Sequence, residues 1–112
     1  MDINKVKRQI TKIYNNINQE LFSAGVQSLH VTIVANKIII LAEHHRIPSL
    51  KALDESYRDK TKEIDVLLGE IFKKRLKVEL QQQMSLDIQL IFRDYDHLNE
   101  MVATLIVLKE NL

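Results

Sequence analysis

The sequence predicts an α+β fold, with two helices and a four-stranded antiparallel sheet in the order α-β-β-α-β-β. Two segments have apolar residues at every third or fourth position, as on one face of a helix, and each is followed by two strand-like segments. The two resulting hairpins can join into one sheet that packs both helices on one face. With 112 residues, the chain is long enough for one core, and residues 1–112 are predicted to form a single domain.

The first helix is indicated by apolar residues at helical spacing, namely Ile3, Val6, Ile10, Ile13, Ile17 and Leu21. Asp2 is expected to cap its first turn, because a carboxylate accepts hydrogen bonds from free backbone N–H groups. Gly25 readily takes the left-handed conformation that closes a helix, so we expect the helix to end near Ala24. Its basic residues are interpreted as a solvated face rather than a nucleic-acid surface, because the net charge is only +1.

The following segment, residues 28–43, is predicted to form a β-hairpin with the two-residue turn Ala35-Asn36, in which asparagine tolerates a positive φ. In this register the inward face consists of Leu29, Val31, Ile33, Ile38, Ile40 and Ala42. The opposite face carries Thr32, Val34, Ile39 and Leu41. This second face is too apolar for a sheet surface left in water, so we expect more of the chain or another subunit to cover it.

The second half of the chain repeats the pattern of a helix followed by two strands. A long helix is predicted over residues 49–83, with a bend near Asp59–Thr61. A third strand is predicted over residues 86–93, followed by a turn over residues 94–99 that is rich in turn formers. Residues 101–108 read as a strand that is apolar on both faces, which is typical of a central strand or an interface.

The outward side of the sheet is predicted to mediate self-association. Ile91 of the third strand is expected to join the apolar side chains of the first hairpin on this side. The predicted interface consists of Thr32, Val34, Ile39, Leu41 and Ile91. A homodimer formed through this face, or by exchange of structural elements, is the simplest way to bury the apolar surface.

The densest polar cluster is His44-His45-Arg46, at the end of the first hairpin. Imidazoles bind metal ions and exchange protons near neutral pH, so this cluster is a candidate site for a ligand or a partner. Neighbouring residues of a strand point to opposite faces, which argues against a metal ion held by both histidines. The alternative interpretation is a polar strand end and loop, and no metal site is predicted.

Arg93, Asp94 and Asp96 form a second candidate group, at the end of the third strand. Two carboxylates and an arginine can perform acid–base chemistry or hold a cation. Aspartates in turns more often bond to the local backbone, which is the structural alternative. The predicted ligand- or partner-binding residues are His44, His45, Arg46, Arg93 and Asp94.

Several function classes are excluded or disfavoured by features that the sequence lacks. It contains no cysteine, which excludes disulfides, thiolate metal sites and cysteine nucleophiles. It has no glycine-rich phosphate loop and no Gly-x-Ser-x-Gly nucleophile motif. The first residues are charged, and no apolar run approaches the roughly 20 residues that span a bilayer, so neither a signal peptide nor direct membrane insertion is predicted. We therefore expect a cytoplasmic protein with no cofactor and no nucleic-acid partner.

The chain as a whole resembles the MpsC-like family of small bacterial proteins. The resemblance extends from about Lys5 to Leu108 and rests on the segments NQELFSAGVQSLHVTIVANKIIILAEHHRIPSLKAL, EIFKKRLKVEL and LIFRDYD. The family usually has a glycine-rich start to its first strand, where this chain has Ser23-Ala24-Gly25. The family is a domain of unknown function, described as a component of a sodium-translocating, membrane-potential-generating system.

The resemblance implies a non-enzymatic accessory protein, encoded near membrane machinery for ion movement and inorganic-carbon supply. Such a protein would be peripheral to the membrane through a membrane-protein partner, and the resemblance implies no catalytic residue. The alternative hypothesis is that the chain is a domain that binds a small ligand or a metal ion, and this alternative covers an enzymatic function. In that case His44, His45 and Arg46 would act with Asp94 or Asp96 contributed across the sheet.

Overall fold

The computed structural model describes residues 2–24, 26 and 28–112 of the chain. Its elements, in chain order, are α1 (Ile3–Phe22), β1 (Ser28–Val34), β2 (Lys37–Glu43), α2 (Pro48–Met84), β3 (Ile88–Asp96) and β4 (Met101–Leu108). The predicted α+β fold, the order of its elements and its four-stranded antiparallel sheet are therefore confirmed.

The strands lie in the order β1-β2-β4-β3, so β4 is central, in agreement with its apolar sequence. The register between β1 and β2 is the predicted one, with Ile33 opposite Ile38. The positive φ of the turn falls on Ala35 (55°) rather than on Asn36. Asn36 instead ties the turn to β4, because its Nδ2 donates to the carbonyl oxygen of Leu108 at 2.9 Å.

Both helices pack on one face of the sheet and form an aliphatic core with it, joined by Tyr14 and Phe72. The aliphatic residues that are buried almost completely are Ile10, Ile13, Ile17, Ile38, Ile40, Leu76, Leu80 and Ile106. Burying a side chain of this size contributes roughly 1.5–3 kcal/mol. The apolar residues whose spacing predicted each element are therefore also the residues whose burial stabilises the fold.

Helix α1 has the predicted cap at its first turn. The carboxylate of Asp2 accepts hydrogen bonds from two backbone N–H groups, at 3.0 and 3.3 Å. The helix ends at Phe22, slightly before the expected Ala24, and Ser23 takes the left-handed conformation with a φ of 55°. Gly25, which was expected to close the helix, lies outside the described residues.

Helix α2 is bent, as predicted, but at Tyr57 (φ −132°, ψ 38°), just before the expected segment Asp59–Thr61. Thr61 is buried after the bend, and its hydroxyl donates to the backbone carbonyl of Arg58 at 3.3 Å. The bend allows turns on both of its sides to approach the loop that follows β2. Within the described part of the chain, neither α2 nor α1 is long and apolar enough to cross a membrane.

Strand β3 differs from its prediction because a β-bulge interrupts its pairing with β4 between Ile88 and Leu90. The extra residue of a bulge shifts the alternation of the following side chains by one position. The prediction that Ile91 points outward was therefore wrong, and Ile91 packs against the core. Phe92 takes its place on the outward side, with 61% of its surface exposed.

The same strand is also longer than predicted. Its pairing continues through Asp96, and the turn occupies residues 97–100 rather than 94–99. Asp96 nevertheless bonds to the local backbone, because its carboxylate accepts from the N–H groups of Leu98 and Asn99 at 3.0 and 3.2 Å. The structural interpretation of Asp96 therefore applies.

The side of the sheet turned away from the helices, here called the open sheet face, is covered by no other part of the described chain. Its apolar side chains are Val34, Ile39, Leu41, Leu90, Phe92, Met101, Ala103, Leu105 and Val107. Thr32 lies among them, so the hairpin residues of the predicted interface are on this face. The sheet therefore has one surface that packs the core and one apolar surface that faces solvent.

Candidate functional site

A cavity of about 260 Å³ lies at the end of β2, between the following loop, the end of α1, helix α2 and strand β3. The predicted site residues His44, His45, Arg46 and Arg93 all line it. Asp94 does not, because side chains alternate along β3 and Asp94 lies on the open sheet face. The hypothesis that Asp94 acts together with the histidine cluster was therefore wrong.

The loop after β2 is held against the β3–β4 turn by Glu100. The backbone carbonyl of Glu100 accepts from the N–H of His44 at 2.9 Å, and its carboxylate accepts from the N–H of Arg46 at 3.0 Å. The hydroxyl of Tyr95 donates to the carbonyl of His44 at 3.1 Å. These bonds fix the positions from which the predicted side chains leave the backbone.

The guanidinium of Arg46 forms ion pairs with two carboxylates. Its side chain is 3% exposed, and its guanidinium donates to Asp54 at 2.9 and 2.7 Å and to Asp65 at 2.5 Å. Arg58 contacts the same two carboxylates from the other side. The hydrogen bonds with Asp54 raise the pKa of Arg46 and lower the pKa of Asp54. The four charges cancel, so Arg46 holds the structure together rather than presenting a free cation.

His44 is buried inside an aromatic cluster. Its Nε2 and the hydroxyl of Tyr14 are hydrogen bonded at 2.9 Å, and its ring packs edge-on against Phe72 with centroids 6.2 Å apart. Burial, followed by the positive charge of Arg93, lowers the pKa of His44 to about 3. The imidazole is therefore neutral at neutral pH, which suits a packing role better than proton transfer.

His45 is exposed, unlike its buried neighbour His44, and its Nδ1 lies 3.4 Å from the carboxylate of Glu100. These different environments agree with the alternation expected at the end of a strand. Among residues 2–24, 26 and 28–112, no group of three or more His, Asp and Glu side chains is arranged to hold a metal ion. His45 is therefore a surface contact to Glu100.

Arg93 is the cation of the site that has no counter-ion. Its guanidinium carbon lies 4.6 Å from the centre of the Phe72 ring, over which it stacks. It forms no ion pair with any carboxylate of the described residues, and its Nε is buried without a hydrogen-bond partner. Burial lowers the pKa of Arg93, but a guanidinium keeps its proton at neutral pH. Arg93 therefore has no ion-pair partner among the described residues.

The residues that complete the site were missed by sequence reasoning. Asp54, Arg58 and Asp65 are separated by four and seven positions, which places them on one face of a helix. This stripe of alternating charge is the sequence pattern that could have indicated an ion-pair network. Tyr14 and Phe72 come from different helices, so no local pattern reveals that they meet in the core against His44. Only packing between distant elements brings them together.

Comparison with known proteins adds no assignment to this site. No protein-family model matches the chain, and no curated protein or solved structure matches it either. The resemblance to the MpsC-like family therefore stays a prediction from the sequence, and the function has to be inferred from the residues themselves.

Lowering the pH is expected to destabilise the folded protein through His44. The ordinary histidine pKa of 6.5 applies to the unfolded chain, whereas the value in the folded protein is about 3. Between these pH values the unfolded state binds one more proton, so the free energy of unfolding falls by up to about 1.4 kcal/mol for each pH unit. Urea denaturation across this range is expected to show a flatter dependence for His44→Gln than for wild type. The control His97→Gln, in the turn between β3 and β4, should retain the wild-type slope, and parallel slopes for all three proteins would contradict the assignment.

Removing the Arg46 side chain is expected to be strongly destabilising. Arg46→Met leaves Asp54 and Asp65 close together in a partly buried position, and the loss is expected to be about 3 kcal/mol in the free energy of unfolding. Arg75→Gln is the matched control, because it removes the exposed ion pair with Glu20 and should cost less than about 1 kcal/mol. Urea denaturation at neutral pH measures both, and equal losses would show that burial of the Arg46 pairs is unimportant.

Proposed function

We propose that this chain is a non-enzymatic accessory protein that acts through protein–protein contacts, as a homodimer joined through the open sheet face. The observation that supports this proposal is the apolar character of a sheet surface that no helix covers. Val34 and Leu41 keep 55% and 44% of their surface exposed, and Phe92 is more exposed still. Solvated sheet faces normally carry polar residues, so this surface is suited to burial against protein.

The size of the open sheet face suits an interface. Four strands about 4.8 Å apart, each roughly seven residues long, cover a flat area of roughly 450 Å². Apolar residues occupy much of this area, and large exposed apolar patches commonly mark interaction sites. Two such faces packed against each other form the interior of a β-sandwich, with the helices of both copies outside.

A second copy of the chain is the occupant that the charges on this face favour. One row of outward side chains crosses the sheet in the order His30, Leu41, Ala103 and Asp94. Consider a two-fold axis that runs parallel to the strands, midway between β2 and β4. It places the same row of a second copy opposite the first row, in reversed order. His30 then faces Asp94 of the second copy, and the large Leu41 faces the small Ala103.

The neighbouring row is complementary under the same axis. Its members, in order across the sheet, are Thr32, Ile39, Leu105 and Phe92. Ile39 then meets Leu105 of the second copy at the centre, and Phe92 covers Thr32 at the edge. In these two rows, the two-fold arrangement therefore places apolar residues centrally and the polar pair of His30 and Asp94 at the rim, as in other protein interfaces.

Substitution at the centre of the open sheet face is expected to separate the two copies. Sedimentation velocity of the wild type at micromolar concentration should give a dimer, and Leu41→Lys should give a folded monomer, because it buries two like charges. Leu67→Lys is the matched control, since Leu67 is a 64% exposed leucine of α2, away from this face, and its substitution should leave the dimer intact. A monomeric wild type, or a dimer lost only in Leu67→Lys, would contradict the proposal.

The orientation of the dimer can be tested by exchanging charges. His30→Asp places a carboxylate opposite Asp94 of the second copy, and we expect dimer affinity to fall about tenfold. Combining it with Asp94→Lys places opposite charges across the interface and should recover most of the lost affinity, measured by sedimentation equilibrium at low salt. Losses that simply add in the double variant would exclude this two-fold axis.

The membrane-bound partner of the proposed function is supported by the resemblance to the MpsC-like family. If the chain is a peripheral accessory protein, a tagged version should be recovered from native membranes in mild detergent together with an integral membrane complex. Leu41→Lys, tested in parallel, shows whether docking requires the dimer. Recovery of the tagged chain without any partner would count against the membrane part of the proposal.

A further inference from the structure

We propose that the cavity at the end of β2 binds a small organic monocarboxylate, whose carboxylate group pairs with Arg93. This site goes beyond the interaction function proposed above. It lies on the side of the sheet that the helices cover, so a ligand can occupy it whether or not the open sheet face is paired. Arg93 is a partly buried cation that forms no ion pair with the described residues.

Arg93 is the cavity's cation for which the described residues supply no ion pair. Arg46 and Arg58 are matched by Asp54 and Asp65, through the ion pairs already described. Arg93 has no such partner within the described part of the chain, and it stacks on an aromatic ring instead. Buried cations are normally paired, because removing a charge from water is unfavourable. A ligand that carries one negative charge supplies the ion-pair partner that Arg93 lacks.

The surroundings of Arg93 also limit the ligand to one negative charge. Asp65 lines the same cavity but is already paired with Arg46 and Arg58, so the described residues offer a second anionic group no further unpaired cation there. A planar carboxylate can accept two parallel hydrogen bonds from the guanidinium fork. The Phe72 ring lies 4.6 Å from the guanidinium carbon and occupies one side of it, so a ligand has to approach Arg93 from the cavity that it lines. These features favour a monocarboxylate over phosphate or a dicarboxylate.

The other walls of the cavity suit a short apolar body. They include Phe22, Ile47, Leu50 and Leu68. The volume of about 260 Å³ is smaller than that of most drug-binding pockets. At about 30 Å³ for each water-sized group, it accommodates roughly nine such groups. A carboxylate with a short aliphatic chain, such as hexanoate, fits this size and this division into polar and apolar parts.

Gly69 has no side chain and so leaves room for the guanidinium of Arg93 beside α2. A Cβ added at Gly69 would lie 3.3 Å from Nη1 of Arg93, so alanine would push the guanidinium away from α2 by a few tenths of an ångström. The same substitution favours the helix, because alanine has a higher helix propensity than glycine. Gly69→Ala is therefore expected to displace the guanidinium while keeping the charge and the side chain of Arg93, which a direct replacement of Arg93 removes.

Isothermal titration calorimetry of the full chain with sodium hexanoate tests the proposal. Hexanamide is the uncharged analogue of the same shape, and inorganic phosphate is the competing anion. The wild type is expected to bind hexanoate about tenfold more tightly than either, and Arg93→Gln to lose about tenfold in hexanoate affinity. Gly69→Ala is expected to weaken hexanoate binding several-fold. Arg8→Gln, at an exposed position of α1, is the matched control and should bind as the wild type does.

Three results would overturn the proposal. The first is the absence of hexanoate binding, or hexanamide binding that is equally tight. The second is unchanged affinity in both Arg93→Gln and Gly69→Ala, with folding verified by urea denaturation. The third is tighter binding of phosphate than of hexanoate, which would exclude the organic class. Leu41→Lys is expected to bind hexanoate like the wild type, so this site and the proposed dimer can fail independently.

Discussion

The guanidinium of Arg46 joins two parts of α2 to the end of the sheet. Asp54 precedes the bend at Tyr57 and Asp65 follows it, and both carboxylates reach the same side chain. Because an unpaired guanidinium in this position is unfavourable, the loop and the bent helix are restricted to positions in which all three groups meet. Glu100 holds the loop from the opposite side. The cavity therefore has a fixed frame before any ligand is considered.

The sheet separates two surfaces with different chemistry, and the bulge in β3 decides which residues belong to each. After the bulge, Ile91 and Arg93 face the helices, while Phe92 and Asp94 face outward. Without the extra residue these pairs would exchange sides, since alternation in a strand has a period of two. The cavity would then lose its free cation, and the open sheet face would lose its carboxylate opposite His30. A single backbone irregularity thus supports both proposals.

The chemistry of the cavity favours binding over catalysis. His44 is neutral because burial lowers its pKa, and Arg46 is neutralised by its carboxylate partners. Arg93 has an aromatic contact with Phe72 and no ion pair among the described residues. His44 is therefore a packing residue and Arg46 belongs to a structural ion-pair network, while Arg93 is the residue on which the proposed ligand site rests.

The sequence by itself determined the order of the elements, the hairpin register and the cap at Asp2, because these depend on residues that are close along the chain. It also located His44, Arg46 and Arg93, since polar residues at strand ends stand out against apolar strands. Only the tertiary structure decided the bulge that turns Ile91 inward, the carboxylates that pair with Arg46 and the aromatic cluster around His44. These depend on packing and charge pairing between distant segments, which local periodicity does not encode.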